Sequence, residues 1–229
     1  MRDFFRKLIK FLKWGAFFFF SLSIFSVILF RFANPPITPL MIIRYIEHDS
    51  AEGKRKFLKE WVGLDKISPN MILAAVAAED NKFPDHFGID FEAIQNARKL
   101  NKYSNIKHGG STITQQTAKN LFLTPSRTFI RKGFELYFTF LLEVIWSKKR
   151  IMEVYLNIVE MGDGIYGVEA ASEYYFHKTA AKLTRHEAAL LAATLPSPRK
   201  RNPAKPNSYL YYYQWRIIAI MNQIGKVDL

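Results

Sequence analysis

A chain of 229 residues that is 49% hydrophobic, with 20 Phe, can fill one packed domain of about 150–200 residues and still supply a separate apolar segment. Without Cys it has neither disulfides nor thiolate metal sites, and its five His never fall into the His-Glu-x-x-His spacing of a zinc enzyme. A net charge of +13 calls for an anionic counterpart: nucleic acid, an acidic membrane surface or a phosphate-bearing substrate.

The first 13 residues form a basic tail, with Arg2, Arg6, Lys7, Lys10 and Lys13 offset only by Asp3. Trp14 to Phe30 then runs without a charge, and Phe32 and Ala33 extend the apolar character past Arg31. A spanning helix needs roughly 17–25 such residues, so residues 14–33 are expected to anchor the chain in a bilayer. Positive charge before the span keeps the N-terminus cytoplasmic and sends everything after Arg31 across the membrane. A cleavable leader is the competing reading, but no Ala-x-Ala pattern precedes the exit from the span. Export and the lack of any nucleic-acid-binding signature leave a membrane or phosphate partner, not nucleic acid.

Residues 34–67 read as a linker and membrane-proximal segment. Asn34-Pro35-Pro36-Ile37-Thr38-Pro39 is an extended spacer, and residues 41–66 are expected to pack as helix. The main domain, residues 68–229, opens with Ser68 as N-cap and Pro69 at the first helical position of an Ala-rich helix. Glu79 and Asp80 close that helix. There the negative end of the dipole and the adjacent acid both disfavour ionisation, which moves a Glu toward general-base duty near neutral pH. Taken alone, such a pair is also compatible with a plain exposed helix end.

A helix around 91–100 follows, then a polar, Gly-ended stretch from Asn101 to Gly110 expected to lie as a loop over a site. Thr112 and Gln115 are spaced as a capping box opening another helix. Two long helical patterns cover about 127–146 and 148–161, and a second capping box, Thr184 to Glu187, starts a helix ending before Pro196. No alternating strand pattern of useful length appears, so the domain is expected to be mainly α.

Five ordered segments share one pattern. They are Glu79-Asp80-x-x-Phe83-x-x-His86-x-Gly88-x-Asp90; Gly110-Ser111-Thr112-Ile113-Thr114-Gln115-Gln116-x-x-Lys119-Asn120-Leu121; Arg131-Lys132-x-x-Glu135; Tyr155-Leu156-Asn157 with Gly164-Ile165-Tyr166-Gly167-Val168-Glu169-Ala170-Ala171; and Glu187-Ala188-Ala189 running to Leu195-Pro196 and Asn202-Pro203. Over about residues 68–203 the chain resembles the peptidoglycan glycosyltransferases of family 51, and its length resembles their monofunctional branch. Ser104-x-x-Lys107 and Ser197-x-x-Lys200 lack the Ser-Asp-Asn and Lys-Thr-Gly elements of a transpeptidase.

The resemblance implies a mainly α, lysozyme-like fold of two lobes with a cleft between them, behind an N-terminal transmembrane helix. It implies polymerisation of lipid II into β-1,4-linked strands with inversion and release of undecaprenyl pyrophosphate, on the outer side of a bacterial inner membrane. Its partners would be lipid II, the growing glycan chain, the bilayer and other cell-wall synthesis or division proteins. By the same resemblance Glu79 is the general base and Glu135 the second catalytic carboxylate, while Lys119 and Arg127 take the pyrophosphate with Arg131 and Lys132 bordering them. Fixed cations fit that chemistry, because a pyrophosphate leaving group needs its developing charge held rather than a proton supplied. No cofactor is required, although a divalent cation, Mg or Mn, can assist.

Ser111, Thr112, Gln115, Gln116 and Asn120 are expected at the substrate from the start of their helix, with plain capping as the alternative for Ser111 and Thr112. Asp80, Phe83 and His86 complete the expected site, Asp80 and His86 orienting and supporting Glu79, with a purely structural role as the alternative, and Phe83 as packing more than contact. Tyr155, Asn157 and Glu187 read as scaffold. Residues 121–130 combine apolar side chains with cations and are expected either to dip into the membrane surface or to join the core.

Overall fold

The computed structural model describes residues 2–47, 56–103, 109–126 and 128–229. They divide into two units, 1–34 and 35–229. In the first, helix α1 (Arg2–Phe32) is continuous from the second residue, so the basic tail and the apolar span lie on one helix about 47 Å long. It is the one helix among the described residues long and apolar enough to cross a membrane.

The second unit carries α2 (Pro39–Glu47), α3 (Pro69–Glu79), α4 (Phe91–Tyr103), α5 (Ile113–Phe122), α6 (Phe129–Ile145), α7 (Lys148–Ile158), α8 (Val168–Phe176), α9 (Arg185–Thr194) and α10 (Ser208–Ile224). Three short strands, β1 (Leu58–Lys59), β2 (Glu160–Gly162) and β3 (Ile165–Tyr166), make a small sheet in the order β1-β3-β2. The domain is thus mainly α, as expected. The sheet escapes a reading based on alternation because its strands are only two or three residues long. Helicity expected over 41–66 is confined to α2 and a single 3-10 turn at Leu64–Lys66; residues 48–55 lie outside the described set.

Local chemistry explains the element boundaries. Ser68 accepts from the Asn70 backbone N–H and Pro69 occupies the first turn of α3. Both expected capping boxes form, Thr112 with Gln115 on α5 and Thr184 with Glu187 on α9. Gly164 (φ 68°) and Gly167 (φ 83°) adopt conformations that a side chain resists, and they let the β2–β3 hairpin turn back against Asn157 and Lys56. Two helices lay beyond the sequence reading: α8, and α10, whose N-cap is Asn207.

The helix pairings fall into two sets: α3 against α9 and α10, and α5 against α6 and α7. Ala74, Ala75 and Ala77 line α3 on its buried side, which lets its backbone approach its neighbours closely while Met71 and Val76 fill the remaining volume. Asp80 joins the sets. Its Oδ2 accepts the Ile113 backbone N–H at 2.9 Å, pinning the end of α3 to the first turn of α5. That bond also satisfies a donor that the helix itself leaves open.

Candidate active site

The clamp at Asp80 fixes where Glu79 faces. Asp80 is buried and spent on structure: Oδ2 holds Ile113, and Oδ1 lies 2.8 Å from His86 Nε2. Glu79, one residue earlier, is half-buried and lines a hollow of about 320 Å³ with Ser111, Gly110 and Ile220. Its Oε2 accepts from Gln116 Nε2 at 2.6 Å. Burial pushes the Glu79 carboxyl above its usual range, with Asp80 adding to the rise and Gln116, Lys119 and Arg201 opposing it. The expected direction therefore holds, but desolvation is the leading cause, ahead of the adjacent acid invoked from sequence.

One and two turns further along α5, Gln116, Lys119 and Asn120 line a second cleft of about 330 Å³ together with Arg131, Arg44 and Glu160. Lys119 has no hydrogen-bond or ion-pair partner among the described residues. Burial lowers its pKa, and it lies in the attractive fields of both Glu135 and Glu79 and the repulsive fields of Arg131 and Lys132. Lys119 is half-buried, and a partly desolvated ammonium without a partner carries a cost that an incoming anion removes.

Glu135 lies on α6 one turn beyond Arg131 and Lys132 and is almost fully buried. Both cations form ion pairs with it, Arg131 through Oε2 and Lys132 through Oε1. Lys132 Nζ also reaches Ser111 Oγ at 3.4 Å. Thr128 caps the helix by accepting from the Arg131 backbone N–H, which sets the register of the triad.

The remaining expected site residues separate into those facing a hollow and those facing the core. Ser111, Gln116, Asn120, Arg131 and Lys132 line the hollows. Phe83, included in the expected site but read as packing more than contact, is fully buried beneath the Lys148 ammonium, 4.7 Å from its ring centroid. His86 is held by Asp80 and gives its backbone carbonyl to Lys148 Nζ, so it supports the loop rather than touching a ligand. Thr112 and Gln115 border the hollows but are buried; their backbone N–H groups, Thr112 Oγ1 and Gln115 Oε1 are used in the capping box, and Thr112 Oγ1 donates to the Gly88 carbonyl at 2.7 Å. Capping, the alternative reading, describes them. Arg127 lies outside the described residues.

The expectation for residues 121–130 divides as well. Leu121 is buried and Phe122 stacks on Phe138 at 4.4 Å, so both belong to the core. Phe129 is 98% exposed and Ile130 75%, and the outer face of α6 continues this apolar surface through Phe140. The scaffold readings are met: Tyr155 is fully buried, Asn157 bonds both the N–H and the carbonyl of Val62, and Glu187 closes its capping box.

Three residues at the site went unnoticed in the sequence: Arg44 and Glu160 in the cleft wall, and Arg201, whose charge reaches Glu79. Arg201 follows the segment ending at Pro196 and could have been noticed as a cation beside Asn202-Pro203. Arg44 and Glu160 carry no local signal, because their partnership spans more than a hundred residues. Among the described residues no cluster of three His, Asp or Glu has metal-holding geometry.

A mainly helical domain in which two acidic side chains, Glu79 and Glu135, flank a group of partly buried cations has the charge arrangement of an enzyme site. Residues 47–222 match the family described as Transglycosylase, and the chain belongs to that family. It is 48% identical over 221 residues to a Bacteroides thetaiotaomicron protein named biosynthetic peptidoglycan transglycosylase, covering 96% of this chain and 89% of that one. Proteins of the same name from Caulobacter vibrioides (52% over 185 residues, 81% of this chain and 78% of theirs) and Escherichia coli (48% over 203 residues, 87% and 84%) are similarly close.

Proposed function

We propose that the protein is a peptidoglycan glycosyltransferase that joins lipid II units into β-1,4-linked glycan strands and releases undecaprenyl pyrophosphate. The observation that carries this is Lys119, a half-buried, unpartnered cation that lines a cleft with Arg131 and lies in the fields of Glu135 and Glu79, the latter a carboxyl raised by burial. Cleaving a finished glycan needs a carboxylic acid over the bond but no cradle for a diphosphate. Joining units from a diphosphate-activated donor needs the reverse, and that is the balance of charge found here.

In the step that follows, Glu79 takes the proton of the acceptor 4-hydroxyl while its oxygen attacks the anomeric carbon of the donor. The bond from that carbon to the phosphate oxygen breaks on the opposite face, its electron pair leaves with the diphosphate, and configuration inverts. Lys119 and Arg131 receive the charge that develops, with Lys132 beside them and Arg127 assigned to the same group by resemblance. Cations fixed before the reaction stabilise that charge without reorganising. Glu135 holds Arg131 and Lys132 in place and in this reading acts on the donor side. A magnesium or manganese ion, if used, would arrive on the diphosphate itself.

Helix α1 would anchor the chain in the inner membrane with the N-terminus cytoplasmic and the domain outside, where Phe129 and Ile130 meet the lipid surface. Other cell-wall synthesis or division proteins remain candidate partners of this membrane-bound domain. The test is labelled lipid II in detergent with gel analysis of the product. A ladder of glycan strands supports the reading; intact lipid II, or breakdown of purified sacculi instead, rejects it.

A further inference from the structure

The Glu79 carboxylate is the last of three side chains joined end to end across three helices. Tyr155 on α7 donates its phenol proton to Gln116 Oε1 at 3.5 Å, and Gln116 on α5 donates from Nε2 to Glu79 Oε2 on α3 at 2.6 Å. Tyr155 is fully buried, and that bond is the one its hydroxyl makes among the described residues. Burial, with Glu79 and Asp80 nearby, holds the phenol pKa well above its usual value, so the hydroxyl stays a donor while Glu79 titrates.

A primary amide has two unlike ends, and the end that meets a carboxyl group decides which protonation state is favoured. With Nε2 toward Glu79 the amide donates, and a donor stabilises the carboxylate. Turned over, Oε1 would face Glu79 and accept only from the protonated form, while Nε2 pointed at the phenol. That second arrangement strands the phenol proton in a buried place, and orphaned buried donors are costly. The phenol also polarises the amide toward Glu79, since hydrogen bonds in a chain strengthen one another. Both effects favour the ionised base and oppose the desolvation that pushes its pKa upward. The other charged groups acting on Glu79 are Asp80 beside it on α3, Lys119 on α5 and Arg201 after α9, while α10 brings the apolar Ile220 to its hollow.

We infer that Tyr155 is a positioning residue for the general base: its hydroxyl, acting through Gln116, keeps the amide N–H toward Glu79 and the carboxylate ready to take a proton. The inference rests on the glycosyltransferase reading and adds to it a fixed polarity running from α7 through α5 to α3. Tyr155 lies in the core and acts on the base alone, so its removal should change when Glu79 is ionised and leave the contacts to substrate in place.

The experiment uses the full chain in detergent with labelled lipid II and follows kcat/KM against pH, whose limbs report the free enzyme. Polymerisation by the unaltered protein tests the glycosyltransferase reading by itself. Tyr155→Phe keeps the ring and loses one oxygen atom. Losing that donor favours the neutral carboxyl, so the acid limb should move upward by about half to one pH unit, the shift that one hydrogen bond of ordinary net strength gives. The alkaline limb should stay, and the rate between the limbs should fall less than about threefold. In Gln116→Met the acid limb should move upward as well, and adding Tyr155→Phe should move it no further, because the route through the amide is gone. An acid limb unmoved in Tyr155→Phe, an equal loss of rate at every pH, or failure of that variant to fold makes Tyr155 structural and overturns the inference. An acid limb unmoved by Gln116→Met, or moved further in the double variant, also overturns it, because the phenol would then act on Glu79 by another path.

Discussion

Gln116 Nε2 donates to Glu79 Oε2 at 2.6 Å, and this is the one hydrogen bond that reaches the Glu79 carboxylate among the described residues. A carboxylate held by a single amide keeps one oxygen free to accept a proton. Replacing Glu79 by Gln retains shape and contact but removes the base. The kcat for polymerisation should fall by about 10²–10⁴ while lipid II binding, followed by calorimetry, is largely retained. Polymerisation near the unaltered rate would show that Glu79 is not the base.

The activity should be bell-shaped in pH. Glu79 must be deprotonated to act and its pKa is raised by burial, so rate is lost as pH falls through a value above the ordinary carboxylate range. Lys119 must be charged and its pKa is lowered by burial, so rate is lost as pH rises through a value below that of a free lysine. In Lys119→Arg the alkaline limb should move upward while the acid limb stays; an unmoved alkaline limb assigns that limb to another group.

Lys119→Met removes a cation that has no ion-pair partner to leave stranded. Its cost should therefore fall on the reaction rather than on folding, with kcat/KM reduced by about 10²–10³ and the melting temperature unchanged or raised. A marked drop in melting temperature would make Lys119 a structural residue.

Phe129 and Ile130 project from the start of α6 with almost nothing around them. Changing both to Ser should weaken liposome binding of the chain from Pro35 onward by at least tenfold, since each buried apolar side chain contributes about 1.5–3 kcal/mol. Circular dichroism should stay the same. The equivalent change at Phe122 should instead lower stability, because that ring stacks on Phe138.

Gly167 has φ 83°, and a Cβ there would stand 2.8 Å from the Asn157 carbonyl oxygen. Gly167→Ala should cost about 1–3 kcal/mol, lowering the melting temperature by roughly 2–4 °C per kcal/mol. Asn157 would be pushed off Val62, which loosens β1 and its neighbours.

Much of this was legible in the chain because the informative signals are local. Ser68-Pro69, Thr112 with Gln115 and Thr184 with Glu187 announce helix starts within four residues, and all three form. The order of Glu79, Lys119, Arg131 and Glu135 likewise points to groups that lie within reach of one another's fields. What the sequence hid is whether a polar side chain turns outward or inward. Thr112 and Gln115 are buried at the edge of the hollows and His86 is half-buried, with Thr112 Oγ1 and Gln115 Oε1 turned to the backbone and His86 Nε2 to Asp80, and the junction of α3 with α5 decides this. The three-stranded sheet and the Arg44–Glu160 pair depend on partners far along the chain, where periodicity carries no information.

Glu135 pairs with both α6 cations, Arg131 and Lys132, at once. Any diphosphate must win them from it, and a spent one must keep winning to stay. The same carboxylate that organises Arg131 and Lys132 is thus a standing competitor for them, which favours quick departure of the by-product and weak product inhibition. In the proposed reaction that diphosphate leaves at every addition, so the group that clears it from the two cations is part of the protein.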